Sequence, residues 1–223
     1  MVDKVLISHL LLTALFITTG VVILAASLIG IQKDSSDTTS VLTLIIHECP
    51  LRAGVANGIM ILATSALVIP STLLRENRFW LKLQAVLIIC CAIFTFVLSI
   101  VVWFFTLSTR ARLGEVWANL DRATQSMIQQ EFSCCGYFSS TTPPNFFVQD
   151  DTCPNPLVAA SKPGCVGPFS SFANEALDII FTAGFGAVAV DMLLLISIAV
   201  VLKEIKVRER YRLIDAKIGN NGL

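Results

Sequence analysis

The sequence predicts an all-α membrane protein with four transmembrane helices and a disulfide-stapled, mainly helical large extracellular loop. Three observations predict this fold class. Apolar residues make up 55% of the 223 residues and charged residues only 14%, against roughly a quarter in an ordinary soluble domain. Four long runs are almost free of charge. Four of the seven cysteines cluster in one polar segment between the last two runs.

Each apolar run is long enough to cross a bilayer as a helix. The runs cover residues 5–31, 55–74, 83–107 and 179–202. A helix needs about 20 apolar residues to span the hydrocarbon core, where the backbone must satisfy its own hydrogen bonds. The first run follows Lys4, as in a cleaved signal peptide, but it is nearly twice the about 7–15 residues of a signal peptide's apolar region. We therefore predict a retained span.

The distribution of Lys and Arg predicts that both termini are cytosolic. Ten of the 16 basic residues lie in the short segments 1–4, 75–82 and 203–223, and six lie in the longer segments 32–54 and 108–178. Basic residues concentrate on the cytosolic side of multi-pass proteins. The predicted order is N-terminus and first span (1–31), small extracellular loop (32–54), second span (55–74), cytosolic turn (75–82), third span (83–107), large extracellular loop (108–178), fourth span (179–202) and cytosolic tail (203–223).

The large loop is predicted to begin as an amphipathic helix that continues the third span. Apolar residues recur there at three- and four-residue spacing. They are Leu113, Val116, Trp117, Leu120, Met127, Ile128 and Phe132. Polar residues, including Gln125 and Gln129, fall mainly between them. After Pro168 the chain is predicted to lead helically into the fourth span.

The middle of the large loop is rich in turn-forming residues and holds Cys134, Cys135, Cys153 and Cys165. In an oxidising compartment such cysteines form disulfides that constrain an irregular segment. Of three pairings, we exclude the one that joins the neighbours Cys134 and Cys135, because its ring is strained. The other two remain open. A zinc site is disfavoured, because the loop has no Cys-x-x-Cys and no histidine, and no metal site is predicted.

Cys134-Cys135-Gly136 opens the cysteine segment and Gly164-Cys165 closes it. A four-span chain with these motifs in its second outer loop resembles the tetraspanin family over nearly its whole length. The resemblance implies pairing of Cys134 with Cys165 and of Cys135 with Cys153. It also implies a membrane scaffold or adaptor that organises partner proteins and lipids, and no enzymatic activity. The chain departs from the family pattern at two places. Asp150-Asp151-Thr152 precedes Cys153, where the family often has Pro-x-Ser. Thr13 stands near the position in the first span where many animal members of the family have an inward-facing asparagine.

The compact loop and the opening Met1-Val2-Asp3-Lys4-Val5-Leu6 are similar to the fungal branch of that family. Within it they look most like the tetraspanins that infection structures require for host penetration. The resemblance implies a plasma-membrane location, or an endosomal or vacuolar one, and a role in polarised growth or pathogenicity. The expected partners are other membrane proteins and tetraspanins, lipids and further copies of the chain. A net charge of zero provides no basic excess for nucleic acid.

The predicted partner surface is an aromatic patch in the variable stretch of the large loop. It comprises Tyr137, Phe138, Phe146, Phe147 and Val148. A small stapled domain cannot easily bury all of them, and exposed aromatic patches mark interaction sites. In the alternative, Phe146 and Phe147 pack under the loop against the apolar residues 41–46.

Asp191 is the one acidic or basic residue deep inside a run. A charge in the bilayer is costly, so this side chain should face the bundle. The resemblance implies a polar lock or a contact with a sterol or other lipid between the spans, shared with Thr13. The alternative is a protonated carboxyl bonded to a hydroxyl such as that of Thr13 or Ser27. No other cofactor is predicted.

Small residues predict close packing of the first two spans at Gly54-x-x-x-Gly58 and Ala26-x-x-x-Gly30. In the tail, Tyr211-Arg212-Leu213-Ile214 fits a Tyr-x-x-apolar sorting signal through Tyr211 and Ile214, although so short a motif also occurs by chance. Cys90 and Cys91 are interpreted as packing or lipid-facing residues. Cys49 lies on the predicted outer side, either buried or paired between molecules.

Two other functional classes compete with the scaffold. A transporter or channel needs polar residues along a path through the spans, where Asp191 stands nearly alone. A thiol oxidoreductase needs Cys-x-x-Cys or a cluster of His, Asp and Glu. The chain has only His9 and His47, far apart. We therefore predict a scaffold and no enzyme.

Overall fold

The computed structural model describes residues 2–36, 41, 50–67, 78–141 and 147–220. These residues form helices and no β-strand, in agreement with the predicted all-α class. The helices are α1 (Val2–Ser36), α2 (Leu51–Ala66), α3 (Arg78–Leu107), α4 (Thr109–Asn119), α5 (Arg122–Phe132), α6 (Pro156–Ser161) and α7 (Val166–Asn220). Cys49, Phe146 and the last part of the predicted second span, 68–74, lie outside the described residues.

Within the described part, three helices are long and apolar enough to cross a membrane. Their spanning segments are Ile7–Gln32, Phe79–Leu107 and Val166–Asp215. Helix α2 is also apolar but has 16 residues. Helix α7 runs for 55 residues and continues beyond the predicted end of the fourth span. Its charged part is rich in Lys, Arg and Glu, which favour helix, and Glu204 pairs with Arg208 one turn later at 3.7 Å.

The chain divides into two compact units. The first, here called the helix unit, comprises Met1–Ile29, Leu51–Leu98 and Gly184–Leu223, and the second, the loop unit, comprises Gly30–Pro50 and Ser99–Ala183. The core of the helix unit is aliphatic and aromatic, with Phe16, Ile61, Ile88, Leu194 and Ile198 at its centre. Its outer surface is also apolar: Leu11 and Val22 are 63% and 64% exposed. Apolar residues on both faces are typical of helices in lipid.

Helices α1 and α2 meet through small residues. A Cβ atom on Gly58 would lie 2.8 Å from Leu24 Cβ, and one on Gly20 would lie 2.5 Å from Ile61 Cγ2. A Cβ atom on Gly54 would overlap the Ser27 hydroxyl. Both glycines predicted for α2 therefore lie at this contact, as does Gly20 of α1.

The prediction for Ala26 was wrong. Ala26 is exposed, because the contact face of α1 runs through Gly20, Leu24 and Ser27. Ala26 precedes Ser27 by one residue and lies about 100° around the helix from it. Gly30 is buried, but it belongs to the loop unit.

Candidate functional site

Within the loop unit, α3 ends at Leu107 and α4 begins at Thr109. Ser108 interrupts the helix with φ −114° and ψ 13°. Arg112 stabilises this turn, because its Nε donates to Ser108 Oγ at 2.9 Å and its guanidinium lies 4.4 Å from the centre of the Phe105 ring. Helix α5 then begins after Asp121. The Thr124 hydroxyl donates to the Asp121 carboxylate, and this bond lowers the pKa of Asp121.

The apolar stripe was predicted on one helix that continues the third span. It lies instead on two helices, α4 and α5, and faces the core of the loop unit. Leu113, Trp117 and Ile128 are at most 6% exposed and pack with Phe169 of α7. Leu120, Met127 and Phe132 pack against this core from its edge. The stripe is continuous because helical spacing puts these residues on one face of each helix.

Two disulfides close the loop unit. Cys134 bonds to Cys165 and Cys135 to Cys153, with Cα separations of 5.0 and 6.1 Å. These are the pairs that the resemblance implies. The bonded residues lie 31 and 18 positions apart. By closing loops of these lengths in the unfolded chain, the two disulfides lower its entropy. In the chain-entropy treatment this stabilises the folded state by about 4 and about 3 kcal/mol, respectively.

The glycines of the two cysteine motifs have separate structural roles. Gly136 has a φ of 72°, a left-handed conformation that side chains with a Cβ disfavour. Its carbonyl accepts from the Cys165 amide at 2.9 Å. A Cβ atom on Gly164 would overlap the carbonyl oxygen of Phe138 and lie 2.7 Å from that of Tyr137. Both motifs therefore need glycine where the two ends of the cysteine segment meet.

Gln129 of α5 organises the irregular segment before Cys153, and sequence reasoning placed it among the polar positions of the helix. Its side chain is fully buried. Its Nε2 donates to the Val148 carbonyl at 2.8 Å and to Asp150 Oδ2 at 2.9 Å. Its Oε1 accepts from the amides of Gly136 at 3.2 Å and Val148 at 3.1 Å. One side-chain amide thus hydrogen-bonds to three backbone groups.

Asp150 completes this network. Its Oδ1 accepts from the amides of Thr152 at 2.9 Å and Cys153 at 2.6 Å. Its Oδ2 accepts from Ser126 Oγ at 3.0 Å as well as from Gln129. The carboxylate therefore fixes the turn into the Cys135–Cys153 bond. The sequence signal was the replacement of the family's Pro-x-Ser by Asp150-Asp151-Thr152.

The prediction that Tyr137 belongs to an exposed patch was wrong. Tyr137 is 1% exposed, its ring lies 5.8 Å from that of Trp117, and its hydroxyl donates to the Arg110 carbonyl at 2.5 Å. Burial raises the pKa of Tyr137 to about 12. The backbone of this residue is fixed at the start of α7, because the carbonyls of Gly136 and Tyr137 accept from the amides of Cys165 and Val166, each at 2.9 Å.

The other described residues of the predicted patch differ in their exposure. Phe138 is 50% exposed. Phe147 packs against the cluster of Cys135, Cys153 and Ala159, and Val148 is half-buried beneath the Gln129 network. The predicted alternative placed Phe146 and Phe147 against residues 41–46. Of these, Val41 belongs to a different core cluster, and Phe146 and 42–46 lie outside the described residues.

Leu157 of α6 was missed by the sequence reasoning. It is 85% exposed, the highest value among the large exposed apolar residues of the described chain. Helix α6 is held at its start by the Asn155 side chain, whose Oδ1 accepts from the Val158 amide at 2.9 Å. Ala159 anchors it beneath, fully buried. The dipeptide Asn155-Pro156 is a helix-start signature that could have revealed it.

The helix unit contains buried polar pairs that sequence reasoning did not single out. Asn57 Nδ2 donates to Thr95 Oγ1 at 2.9 Å, and the Thr64 hydroxyl lies 3.5 Å from Cys91 Sγ. Each pair joins α2 to α3. Helix α1 is joined to α7 by a contact of 3.2 Å between His9 Nδ1 and Ser197 Oγ.

Asp191 is 1% exposed, and within the described residues neither of its carboxyl oxygens has a hydrogen-bond partner. The predicted alternative, in which the hydroxyl of Thr13 or Ser27 bonds this carboxyl, is therefore not found. Thr13 instead donates to the His9 carbonyl of its own helix at 2.9 Å. A buried carboxyl without a partner is costly, so a ligand that hydrogen-bonds to Asp191 would offset part of this cost.

The remaining predicted positions lie on helix surfaces or interfaces. Tyr211 and Ile214 are 63% and 50% exposed on α7. Cys90 is exposed and Cys91 is buried, and both are free thiols. In the described part of the chain, no group of three or more His, Cys, Asp and Glu is arranged to hold a metal ion.

A comparison with protein families identifies this architecture. The model of the tetraspanin family matches residues 6–204. The chain belongs to the tetraspanin family. Neither the curated proteins nor the solved structures contain a significant match. Tetraspanins are generally non-enzymatic membrane scaffolds that interact with other membrane proteins and lipids.

Proposed function

We propose that this tetraspanin is a plasma-membrane adaptor that gathers partner proteins and lipids through its loop unit. It spans the bilayer four times, with both termini cytosolic and the large loop (108–178) outside. The proposal rests on one observation above all: an apolar side chain, Leu157, stands 85% exposed on a firmly held segment. An endosomal or vacuolar membrane would preserve the same sidedness.

The rigidity of α6 makes Leu157 suitable for binding. The helix is anchored by the Asn155 cap, by buried Ala159 and by the neighbouring Cys135–Cys153 bond. An exposed apolar side chain that is already ordered loses little entropy when a partner covers it. Phe138 is a second exposed apolar side chain of the same unit, and its ring packs edge-on to buried Tyr137 at 4.8 Å. Both residues therefore present apolar area from a fixed base.

The test compares partner capture by full-length variants in cells. Leu157→Ser and Phe138→Ser should each reduce several-fold the membrane proteins that are crosslinked to and captured with the chain. Ala160→Ser is the matched control, because Ala160 is exposed on the same helix and contributes little apolar area. Equal surface expression and intact disulfides would show that folding is unchanged. If the Leu157→Ser and wild-type capture profiles are identical, the proposed surface is wrong.

The sidedness of the proposal is supported by two independent features. Lys and Arg concentrate in the segments predicted to be cytosolic. The loop unit carries two buried disulfides, which persist in the oxidising environment outside the cytosol.

A sterol or other lipid beside Asp191 forms a second part of the proposal. The support is the pair of buried carboxyl oxygens that lack hydrogen-bond partners in the described chain. A sterol hydroxyl can donate to a carboxylate. Photocrosslinking with a sterol probe in membranes should label the wild type more strongly than Asp191→Leu. Equal labelling of the two proteins would show that Asp191 does not contribute to sterol binding.

The biological setting is proposed from resemblance alone. The opening residues and the compact loop favour a fungal protein that acts in polarised growth or host penetration. Deleting its gene in the source organism should impair penetration of intact host surfaces but not growth through wounded tissue. Normal penetration by the deletion strain would refute this role without affecting the adaptor function.

A further inference from the structure

The charged end of α7 carries an exposed apolar stripe. Residues 203–220 extend the helix by about 27 Å at 1.5 Å per residue. Within this stretch Val207, Tyr211 and Ile214 are 39%, 63% and 50% exposed. Their spacing of four and three residues places them within about 60° of one another on the helix surface. We call these three residues the tail stripe.

Opposite charges border the tail stripe on its two sides. Arg210 lies on one side and Asp215 on the other, and both are exposed. Residues five positions apart do not face each other within one helix, where neighbours are three or four apart. In a parallel two-stranded coiled coil, however, positions with this separation meet across the interface. Arg210 of one helix and Asp215 of another would therefore be complementary.

The membrane determines how two such tails can meet. Copies of one multi-pass protein in one bilayer have the same orientation, so their tail helices are parallel. Their anchoring also holds the tails at the same height, which is the unstaggered alignment that a parallel pair needs. Anchoring further raises the local concentration of one tail around another, as in any tethered interaction. A short interface can therefore form that would be too weak in solution.

We propose that the tail stripe binds the tail stripe of a second copy of this chain, as a parallel pair of helices aligned by Arg210–Asp215 contacts between the copies. One feature opposes pairing, since Lys203 and Arg208 would approach each other across the interface. Arg208 is engaged by Glu204 of its own helix at 3.7 Å, which offsets this repulsion. Pairing would also cover Tyr211 and Ile214, so the predicted sorting signal would be readable only in unpaired copies.

Cysteine crosslinking of the full-length protein in isolated membranes tests the contact face. Ile214→Cys lies on the stripe. Leu213→Cys is the matched control, because Leu213 is 62% exposed and lies about 100° around the helix from Ile214. Mild oxidation should form covalent dimers several-fold faster for Ile214→Cys, with the wild type reporting the background from Cys90. Equal rates for the two variants would overturn the proposal.

Charge exchange identifies the occupant. Arg210→Asp and Asp215→Arg should each abolish self-pairing, because each places like charges opposite one another. Copies of these two variants carrying different tags should pair selectively, because both contacts between them are then complementary. If the tail stripe were covered by the bilayer surface or by an adaptor protein, the Arg210→Asp and Asp215→Arg copies would not pair selectively. The absence of selective pairing would refute pairing between copies.

Discussion

The side-chain amide of Gln129 binds both backbone groups of Val148, donating to its carbonyl at 2.8 Å and accepting from its amide at 3.1 Å. This relationship ties the irregular segment before Cys153 to a regular helix. It explains how a stretch without secondary structure keeps a defined course between its disulfides. The polar network and the Cys135–Cys153 bond together hold it.

Gln129→Leu should destabilise the loop unit by roughly 2–4 kcal/mol, because buried backbone groups of Gly136 and Val148 would lose their partners. Hydrogen exchange should become faster at the amides of residues 147–153 in the full-length protein. Glu131→Leu is the control, because Glu131 lies on the same helix and is exposed. Equal exchange in the two variants would show that Gln129 does not hold the segment.

Gly164→Ala should destabilise the loop unit strongly, because the new Cβ would overlap the Phe138 carbonyl, and neither backbone can move without shifting a disulfide. Gly167→Ala, three residues later in α7, should be neutral or stabilise by about 0.5–1 kcal/mol, because a Cβ there meets nothing within 4 Å and alanine favours helix. Thermal unfolding would compare them. A Gly164→Ala protein as stable as Gly167→Ala would contradict the described approach of these segments.

Alkaline pH should weaken the loop unit through Tyr137. Burial raises the pKa of this phenol to about 12, above the value of about 10 for an unperturbed tyrosine. The folded state thus favours the neutral form, so this contribution to stability is complete below about pH 10 and is lost as the pH rises towards the folded pKa. Tyr211→Phe leaves Tyr137 as the one remaining tyrosine, because the chain has two.

Phenolate absorbance of the Tyr211→Phe protein would follow this ionisation directly. Tyr137→Phe in the same background should flatten the alkaline fall in stability, while losing about 1 kcal/mol at neutral pH with the hydrogen bond to Arg110. Ionisation of Tyr137 near pH 10 would mean that the side chain is not buried as described.

Gly58→Val should weaken the contact of α1 with α2, because even a Cβ at this position would lie 2.8 Å from Leu24 Cβ and 3.0 Å from its Cα. Ala26→Val should have little effect, since Ala26 points away from that contact. The thermal stability of the two variants in detergent would compare them. A larger loss of thermal stability for Ala26→Val than for Gly58→Val would show that Ala26 lies at the contact of α1 with α2, as the sequence predicted, and would contradict the described packing.

Much of the fold was predictable because hydropathy is a local property. The apolar runs predicted four spanning helices, and the described residues contain three long ones and the 16-residue α2 at these runs. Three-to-four spacing predicted the buried stripe from Leu113 to Phe132. The disulfide pairing could not be derived from the residues, since two pairings stayed open. It required the resemblance to a family.

The misses share a physical cause, which is that local patterns do not reveal where a polar group finds its partner. Gln129 reads as a polar helix position, yet it is buried because an irregular segment distant in sequence needs its amide. The sequence places Tyr137 in an irregular loop, yet its hydroxyl donates to the Arg110 carbonyl and its ring packs beside that of Trp117. Ala26 and Ser27 are both small, and only the packing of α1 against α2 decides which of them faces inward.

We propose that residues 108–178 form a disulfide-closed domain on the oxidising side of the membrane. The most direct measurement is a disulfide map of the full-length protein, with free thiols alkylated in intact cells before lysis and peptides identified without reduction. We expect Cys134–Cys165 and Cys135–Cys153 bonds, with Cys91 recovered as a free thiol. Recovery of all four loop cysteines as alkylated thiols would contradict it, and would place the loop unit on the cytosolic side.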